Sequence, residues 1–112
     1  MDRAAKFYSA MGLLFTKHRH GKGPEHYASE VDGFVFELYP LADHQTPTTS
    51  TRIGFSVDDV DSIVTLLTGV GAEVRQEPRD SEWGRRAVVE DLDGHLVELV
   101  TPLNRDRENT AE

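Results

Sequence analysis

Two stretches of the chain share one pattern: DGFVFELYP at residues 32–40 and DGHLVELVTP at residues 93–102. Each opens with an Asp-Gly pair, typical of a tight turn, and continues with apolar residues that alternate around a central glutamate. A helical pattern and two further strand-like segments precede each stretch, so the sequence repeats at about half its length. This repeat limits the fold to architectures built from two similar units of one helix and three strands.

The first unit is predicted to begin with a helix. Residues 2–11 place apolar side chains on one helical face, with Asp2 positioned to cap the helix and Gly12 to end it. Polar residues 42–50 contain a proline and are predicted to form a linker to the second unit. The three predicted strands between helix and linker lie at residues 13–20, 26–31 and 34–40.

The second unit differs because a strand precedes its helix. In TRIGFSV, residues 51–57, apolar side chains alternate with Arg52 and two small residues, which is typical of a half-buried strand. We therefore expect the first unit to lack the strand that opens the second. The remaining predicted elements are a helix at 58–72, strands at 73–78, 85–91 and 95–102, and a disordered tail at 104–112.

Composition narrows the classes of partner. A formal net charge of -8 makes binding to nucleic acid or to anionic membranes unfavourable. The chain has no cysteine, which excludes disulfides and thiolate metal sites. No apolar run is long enough to span a bilayer and no signal peptide is evident, so we expect a cytoplasmic protein. Its 112 residues fit one domain.

Three charged residues are predicted to line a shared cleft. Glu37 and Glu98 lie at equivalent positions of the repeat, each between apolar neighbours and therefore on the face opposite the core. Arg52 lies on the non-core face of a third strand. Polar residues at such alternate positions are also common on solvated sheet faces. Spacing alone leaves both interpretations open.

Several segments together resemble the glyoxalase / bleomycin resistance / extradiol dioxygenase (vicinal oxygen chelate, VOC) superfamily. They are AAKFYSAMGLLF, FVFELYP, TRIGFSVDDVD, GAEV and DLDGHLVELV, which cover nearly the whole chain. The resemblance implies an α+β fold of two βαβββ modules whose curved mixed sheets enclose a cavity, here with the first module lacking its N-terminal strand. The implied division is one domain at 1–103, with module one at 1–41, the linker at 42–50 and module two at 51–103.

The resemblance also implies a divalent metal held by the first and last strands of each module. Glu37 and Glu98 match the two last-strand ligands, but Arg52 replaces the histidine of the family pattern His-Ile-Ala-Phe. The fourth ligand would lie on the absent strand. A guanidinium cannot coordinate a metal, and two carboxylates alone suit Zn²⁺ or Fe²⁺ poorly. We therefore predict no metal cofactor, with Arg52 facing both glutamates in its place; a divalent metal on Glu37 and Glu98 is the alternative.

The histidines offer a second metal hypothesis. A hairpin can place His20 opposite His26, with His18 two residues away on the same strand, a spacing compatible with metal binding. A polar outer face near a turn explains the same spacing. His44 and His95 are expected at the surface. No Ser/His/Asp arrangement is evident.

The leading functional hypothesis is a protein that binds a small organic molecule in a cavity without the usual metal. Tyr39 and Trp83 are predicted to border the cavity, where they can stack on a flat ligand. The alternative is a metal-dependent lyase of the glyoxalase type, or a dioxygenase, whose missing ligands come from a longer N-terminus or a partner chain. A purely structural domain is a third hypothesis. The absent strand leaves an open sheet edge, which predicts a homodimer.

Overall fold

The computed structural model describes residues 1–103, so the predicted disordered tail lies outside the described residues. Two open sheets form: β1-β2-β3 is antiparallel, and β4-β7-β6-β5 is mixed because β4 runs parallel to β7. The α+β class and the two-module repeat with a shortened first module are confirmed. In chain order the elements are α1 (Asp2–Ala10), β1 (Thr16–His18), β2 (His26–Val31), β3 (Phe34–Leu38), β4 (Arg52–Ser56), α2 (Val60–Gly69), β5 (Glu73–Ser81), β6 (Gly84–Glu90) and β7 (Leu96–Pro102).

Strand register shows how the two modules correspond. Glu37 on β3 pairs with Ala28 on β2, and Glu98 on β7 pairs with Val88 on β6 in the same antiparallel arrangement. On its other side, Glu98 lies opposite Gly54 of the parallel strand β4. Within residues 1–103, no strand pairs with the corresponding edge of β3. The first module therefore presents an unpaired edge where the second module has β4.

Both modules contribute to one hydrophobic core. The Tyr8 ring of α1 is centred 5.0 Å from the Phe36 ring of β3 and 6.1 Å from the Phe55 ring of β4. Aromatic pairs at this separation add stability beyond the area that they bury. The buried residues of the cluster are Phe7, Tyr8, Met11, Val60, Val64, Leu67, Ala87, Val89, Val97 and Leu99. Packing of both helices and the second sheet around Tyr8 brings β3 close to β4.

Helix ends follow the sequence signals in part. Gly12 ends the α1 segment with a φ of 110°, as predicted, because this left-handed conformation favours glycine. The prediction that Asp2 caps α1 is wrong, since the helix begins at Asp2 itself. Its carboxylate instead accepts a hydrogen bond of 2.8 Å from the Tyr27 hydroxyl. In α2, the Asp59 side chain accepts the Ser62 backbone N–H at 3.3 Å and forms a true cap.

Two strand lengths differ from the predictions. β1 is limited to Thr16–His18 because Leu13 and Phe15 pack against the core before strand pairing begins. β5 continues through Pro78 to Ser81, where only its partner β6 lies beside it. An edge strand tolerates proline, and the register shifts twice along this pair. No helix within the described residues is long and apolar enough to cross a membrane.

Candidate functional site

A groove of about 750 Å³ lies beside the unpaired edge of β3. Its other walls come from the linker, the start of β4 and the turn that leads into β7. Tyr8 of α1, whose ring packs on Phe36 of β3 and Phe55 of β4, also lines this space. The lining side chains that matter below are Tyr8, Glu37, Tyr39, Asp91, Asp93 and His95.

Asp91 organises the turn that forms one wall of the groove. Its Oδ1 accepts the backbone N–H groups of Asp93 at 2.9 Å and of His95 at 2.8 Å. Its Oδ2 accepts the Tyr8 hydroxyl at 2.6 Å. Burial and the adjacent Asp91 carboxylate raise the pKa of Tyr8 far above that of a free phenol, so the hydroxyl remains protonated. A buried carboxylate with several donors holds this wall rigidly to α1.

His95 connects the same turn to the linker. Its Nδ1 lies 2.9 Å from Asp91 Oδ2, and its Nε2 lies 2.8 Å from the Thr48 hydroxyl. The expectation of a surface position is wrong, because the His95 side chain is only 16 % exposed. Hydroxyl, imidazole and carboxylate occur in this order in nucleophilic triads. Asp91 also receives Tyr8 and two backbone donors, so the network is explained as an anchor that fastens the linker to the turn.

Glu37 borders the groove beside a buried histidine. Its Oε2 lies 3.2 Å from His26 Nε2, and the His26 side chain is 2 % exposed. The Tyr39 ring stacks on the imidazole, with centroids 4.3 Å apart and planes 6° apart. Cross-strand pairing of β2 and β3 puts these three residues together on one face of the sheet. The structure thus brings the predicted site residues Glu37 and Tyr39 to the same wall of the groove.

Glu98 forms its ion pair with Arg86, which the sequence analysis did not predict as its partner. Arg86 Nε donates to Glu98 Oε1 at 2.8 Å, and a second guanidinium nitrogen contacts the same oxygen. Arg86 Nη1 also donates to Gln76 Oε1 at 3.0 Å. Arg86 lies on β6, two residues from Val88, which pairs with Glu98, and therefore on the same face of the sheet. Strand alternation along β6 is a sequence signal for the face on which Arg86 lies, but only the register identifies its partner.

Arg52 does not form the predicted ion pairs. It is exposed at the start of β4, and within residues 1–103 no carboxylate oxygen lies within 4.0 Å of it. Glu37 is instead beside His26, and Glu98 is neutralised by Arg86. Gly54 leaves space next to Glu98, since an added Cβ would be 3.9 Å from the Glu98 Cβ.

Trp83 lies on the turn between β5 and β6 and is 65 % exposed. Together with Arg52 and Glu98 it belongs to the second module, and none of these three residues lines the groove. Of the five predicted ligand-binding residues, Glu37 and Tyr39 line the groove, whereas the other three lie elsewhere on the second module.

The residues at the family's metal positions fit a divalent transition metal poorly. One of the two carboxylates, Glu98, is engaged by a guanidinium, and a second guanidinium, Arg52, stands in the position of a ligand. Zn²⁺ and Fe²⁺ favour sets of three or more ligands that include imidazole. As the side chains stand, no three histidine, aspartate or glutamate side chains among residues 1–103 form a metal-ligand group.

Comparison with known proteins is consistent with this architecture. The family model described as "Glyoxalase/Bleomycin resistance protein/Dioxygenase superfamily" matches residues 1–99. The chain belongs to this superfamily. An uncharacterized protein from Mycolicibacterium smegmatis is 31 % identical over 106 residues, which cover 94 % of this chain and 87 % of the relative.

Two solved structures from Streptomyces sp. CB03234 share the fold. TnmS3, described as an antibiotic binding protein, is 26 % identical with a TM-score of 0.70, and the match covers 90 % of this chain and 85 % of TnmS3. A glyoxalase/bleomycin resistance protein is 25 % identical with a TM-score of 0.66, covering 89 % and 90 % of the two chains.

Proposed function

We propose that this superfamily member binds a small organic molecule in the groove beside β3, in the cytoplasm and without a metal at the superfamily's usual position. The observation that carries the proposal is a groove of about 750 Å³ with aromatic and carboxylate side chains on its walls. Ligand pockets for small molecules have volumes of roughly 300–1,000 Å³ and combine apolar walls with a few polar groups. The antibiotic-binding description of TnmS3, at 26 % identity, supports the same class of function.

The lining of the groove favours a neutral or cationic ligand with a flat ring. Glu37, Asp91 and Asp93 contribute carboxylates, and the lining residues within 1–103 include no lysine or arginine. The Tyr39 side chain, in a residue that is 54 % exposed, offers a ring edge and face to a ligand. A cationic group in the ligand would be attracted to these carboxylates and to the tyrosine ring.

Arg52, Glu98 and Trp83 are proposed as contacts for a ligand that extends over the second module. Gly54, next to Glu98, has no side chain that would obstruct such an extension. No reaction is assigned. Among residues 1–103, the nucleophile-and-base arrangement at the groove is that of Thr48, His95 and Asp91, which is explained as a structural anchor.

The experiment is a thermal-shift screen followed by calorimetry with planar aromatic amines and their neutral and carboxylate analogues. We expect amines or neutral rings to bind and carboxylates to bind more weakly. Tyr39→Ala and Glu37→Gln should each weaken binding, whereas Leu66→Ala, at an exposed position of α2, should leave it unchanged. Binding that persists in both groove variants would contradict the groove as the site. Ligand affinity measured before and after chelator treatment tests whether binding needs a metal, and an unchanged affinity is expected.

We also propose that a second copy of the chain covers the unpaired edge of β3. This edge carries Phe34, which is 81 % exposed, and Val35, which is 54 % exposed. Exposed apolar edge strands pair readily with other chains. We expect light scattering at micromolar concentration to give a dimer and Val35→Lys to give a monomer. The control Leu66→Lys, at a position of similar exposure, should remain dimeric; a monomeric parent chain would refute the proposal.

A further inference from the structure

Three histidines meet at the end of the first sheet, and one of them lies beside Glu37. The imidazole centroids of His20 and His26 are 5.3 Å apart, those of His18 and His26 are 5.9 Å apart, and those of His18 and His20 are 6.2 Å apart. Two imidazoles bound to one tetrahedral Zn²⁺, with Zn–N bonds of about 2.0–2.1 Å, have centroids roughly 5 Å apart. The cluster therefore has nearly the dimensions of a metal site.

His26 is oriented as a ligand would be. Its Nδ1 lies 3.4 Å from the Pro24 carbonyl oxygen, a contact that assigns the proton to Nδ1 and leaves the lone pair on Nε2. This Nε2 is buried and has no aligned hydrogen-bond partner in the described part of the chain. A buried nitrogen without a partner is costly, so its retention requires an explanation.

Glu37 supplies a second ligand beside this nitrogen. The 3.2 Å separation of His26 Nε2 and Glu37 Oε2 is close to the roughly 3.3 Å expected between two ligand atoms in a tetrahedral zinc site. The two atoms face each other without hydrogen-bond alignment. A cation between them would satisfy both lone pairs.

We propose that His26 Nε2, a Glu37 carboxylate oxygen and His20 bind a divalent transition metal of the Zn²⁺ class. Of the two remaining histidines, His20 has the ring nearer to His26, and its exposed side chain can rotate to present a nitrogen. His18 is less suited, because its Nε2 already lies 2.6 Å from the Thr16 hydroxyl. The rotation of His20 is needed because the present side-chain positions within residues 1–103 form no three-ligand group.

This site does not depend on the proposed small-molecule function. It shares Glu37 with the metal position that the family resemblance implies, but its other ligands come from the β1–β2 hairpin and not from Glu98 and the first strands. Glu37 also borders the groove, so a bound ion would lie at its rim. Protonation of His26, which would form a salt bridge to Glu37, is the competing explanation for the close approach of the two side chains.

The experiment titrates untagged, chelator-treated full-length chain with Zn²⁺ by calorimetry and with Co²⁺ by visible absorption at pH 7.5. We expect one ion per chain and the intense visible bands of tetrahedral Co²⁺. His20→Ala should lower the affinity at least about tenfold, and Glu37→Gln should do the same. His44→Ala, which removes an exposed linker histidine, should leave the affinity unchanged.

His20→Ala carries the test because this side chain is exposed, and circular dichroism verifies its fold. Absence of binding at one ion per chain would overturn the proposal and favour the proton-shared pair of His26 and Glu37. Unchanged affinity in His20→Ala, or equal loss in His44→Ala, would also overturn it. Groove binding by aromatic amines, measured without metal, keeps the two proposals distinguishable.

Discussion

Removal of a single oxygen at Tyr8 tests the hydrogen-bond network that shapes the groove. In Tyr8→Phe the ring and its packing against Phe36 remain, and only the 2.6 Å bond to Asp91 Oδ2 is lost. Asp91 keeps its two backbone donors and His95, so it is not left as an isolated buried charge. The substitution therefore isolates one buried hydrogen bond to a charged group.

The expected magnitude follows from that geometry. Hydrogen bonds to charged groups contribute about 1.5–3 kcal/mol to the free energy of unfolding. The deleted hydroxyl leaves a space smaller than a methyl group, so the cavity cost is small. For a domain of this size, 2 kcal/mol corresponds to a decrease in Tm of roughly 10 °C.

Alkaline pH provides an independent signature of the same bond. The pKa of Tyr8 is raised in the folded protein, so above its unfolded value of about 10 the unfolded state releases a proton that the folded state retains. The contribution is fully present below pH 10 and is lost as the pH rises further. One such group lowers the free energy of unfolding by up to about 1.4 kcal/mol for each unit by which the pH rises above 10. In Tyr8→Phe the free energy of unfolding should therefore fall less steeply with pH than in the parent protein.

Urea denaturation followed by far-UV circular dichroism measures both effects at pH 7.5 and between pH 9 and 11. Tyr27→Phe is the matched control, because its exposed hydroxyl also bonds a carboxylate, that of Asp2, at 2.8 Å. Its effect should be much smaller, since exposed polar contacts contribute little. Equal losses in the two variants, or an unchanged alkaline slope in Tyr8→Phe, would refute the reasoning about the buried network.

Three further predictions concern the fold and use the same urea assay. Leu67→Ala truncates a fully buried side chain of α2 and should lower the free energy of unfolding by about 2–5 kcal/mol. The control Leu66→Ala changes a neighbouring residue that is 52 % exposed and should alter the free energy of unfolding by less than about 0.5 kcal/mol. Gly84→Ala should destabilise the fold by at least about 2 kcal/mol, because φ is +134° and the new Cβ would lie 2.1 Å from a carbonyl oxygen of β7. In the control Gly69→Ala the new Cβ would have no neighbouring atom within 4 Å, so the stability should be unchanged or slightly higher. Asp59→Ala removes the cap of α2 and should lower the free energy of unfolding by about 0.5–2 kcal/mol. An unchanged free energy of unfolding would contradict a stabilising role for the hydrogen bond from the Ser62 backbone N–H to Asp59.

Local features of the sequence were sufficient for most of the fold. The Asp-Gly pair at 32–33 adopts positive φ angles of 50° and 84°, as a tight hairpin turn requires. β2 spans the predicted residues 26–31 without change. The repeat around Glu37 and Glu98 placed these residues at equivalent positions of the two sheets. Each of these signals depends on residues close together in the chain, and such signals are visible in a sequence.

The partners of the charged residues were decided by the tertiary structure. Arg86, and not Arg52, neutralises Glu98, because β6 lies beside β7 and places Arg86 two register pairs from Glu98 on the same face. Glu37 meets His26 through the pairing of β2 with β3. Strand alternation specifies the face on which a side chain lies but leaves the choice among neighbours open.

The sequence by itself determined that the chain forms two helix-and-strand modules, and it indicated which strands alternate between buried and exposed side chains. Only the tertiary structure decided that Tyr8, Asp91 and His95 join into one buried network, across 83 residues in the case of Tyr8 and Asp91. The physical reason is range: turns and periodicity are set by neighbouring residues, whereas a groove and its hydrogen bonds exist only after distant segments have packed around a common core.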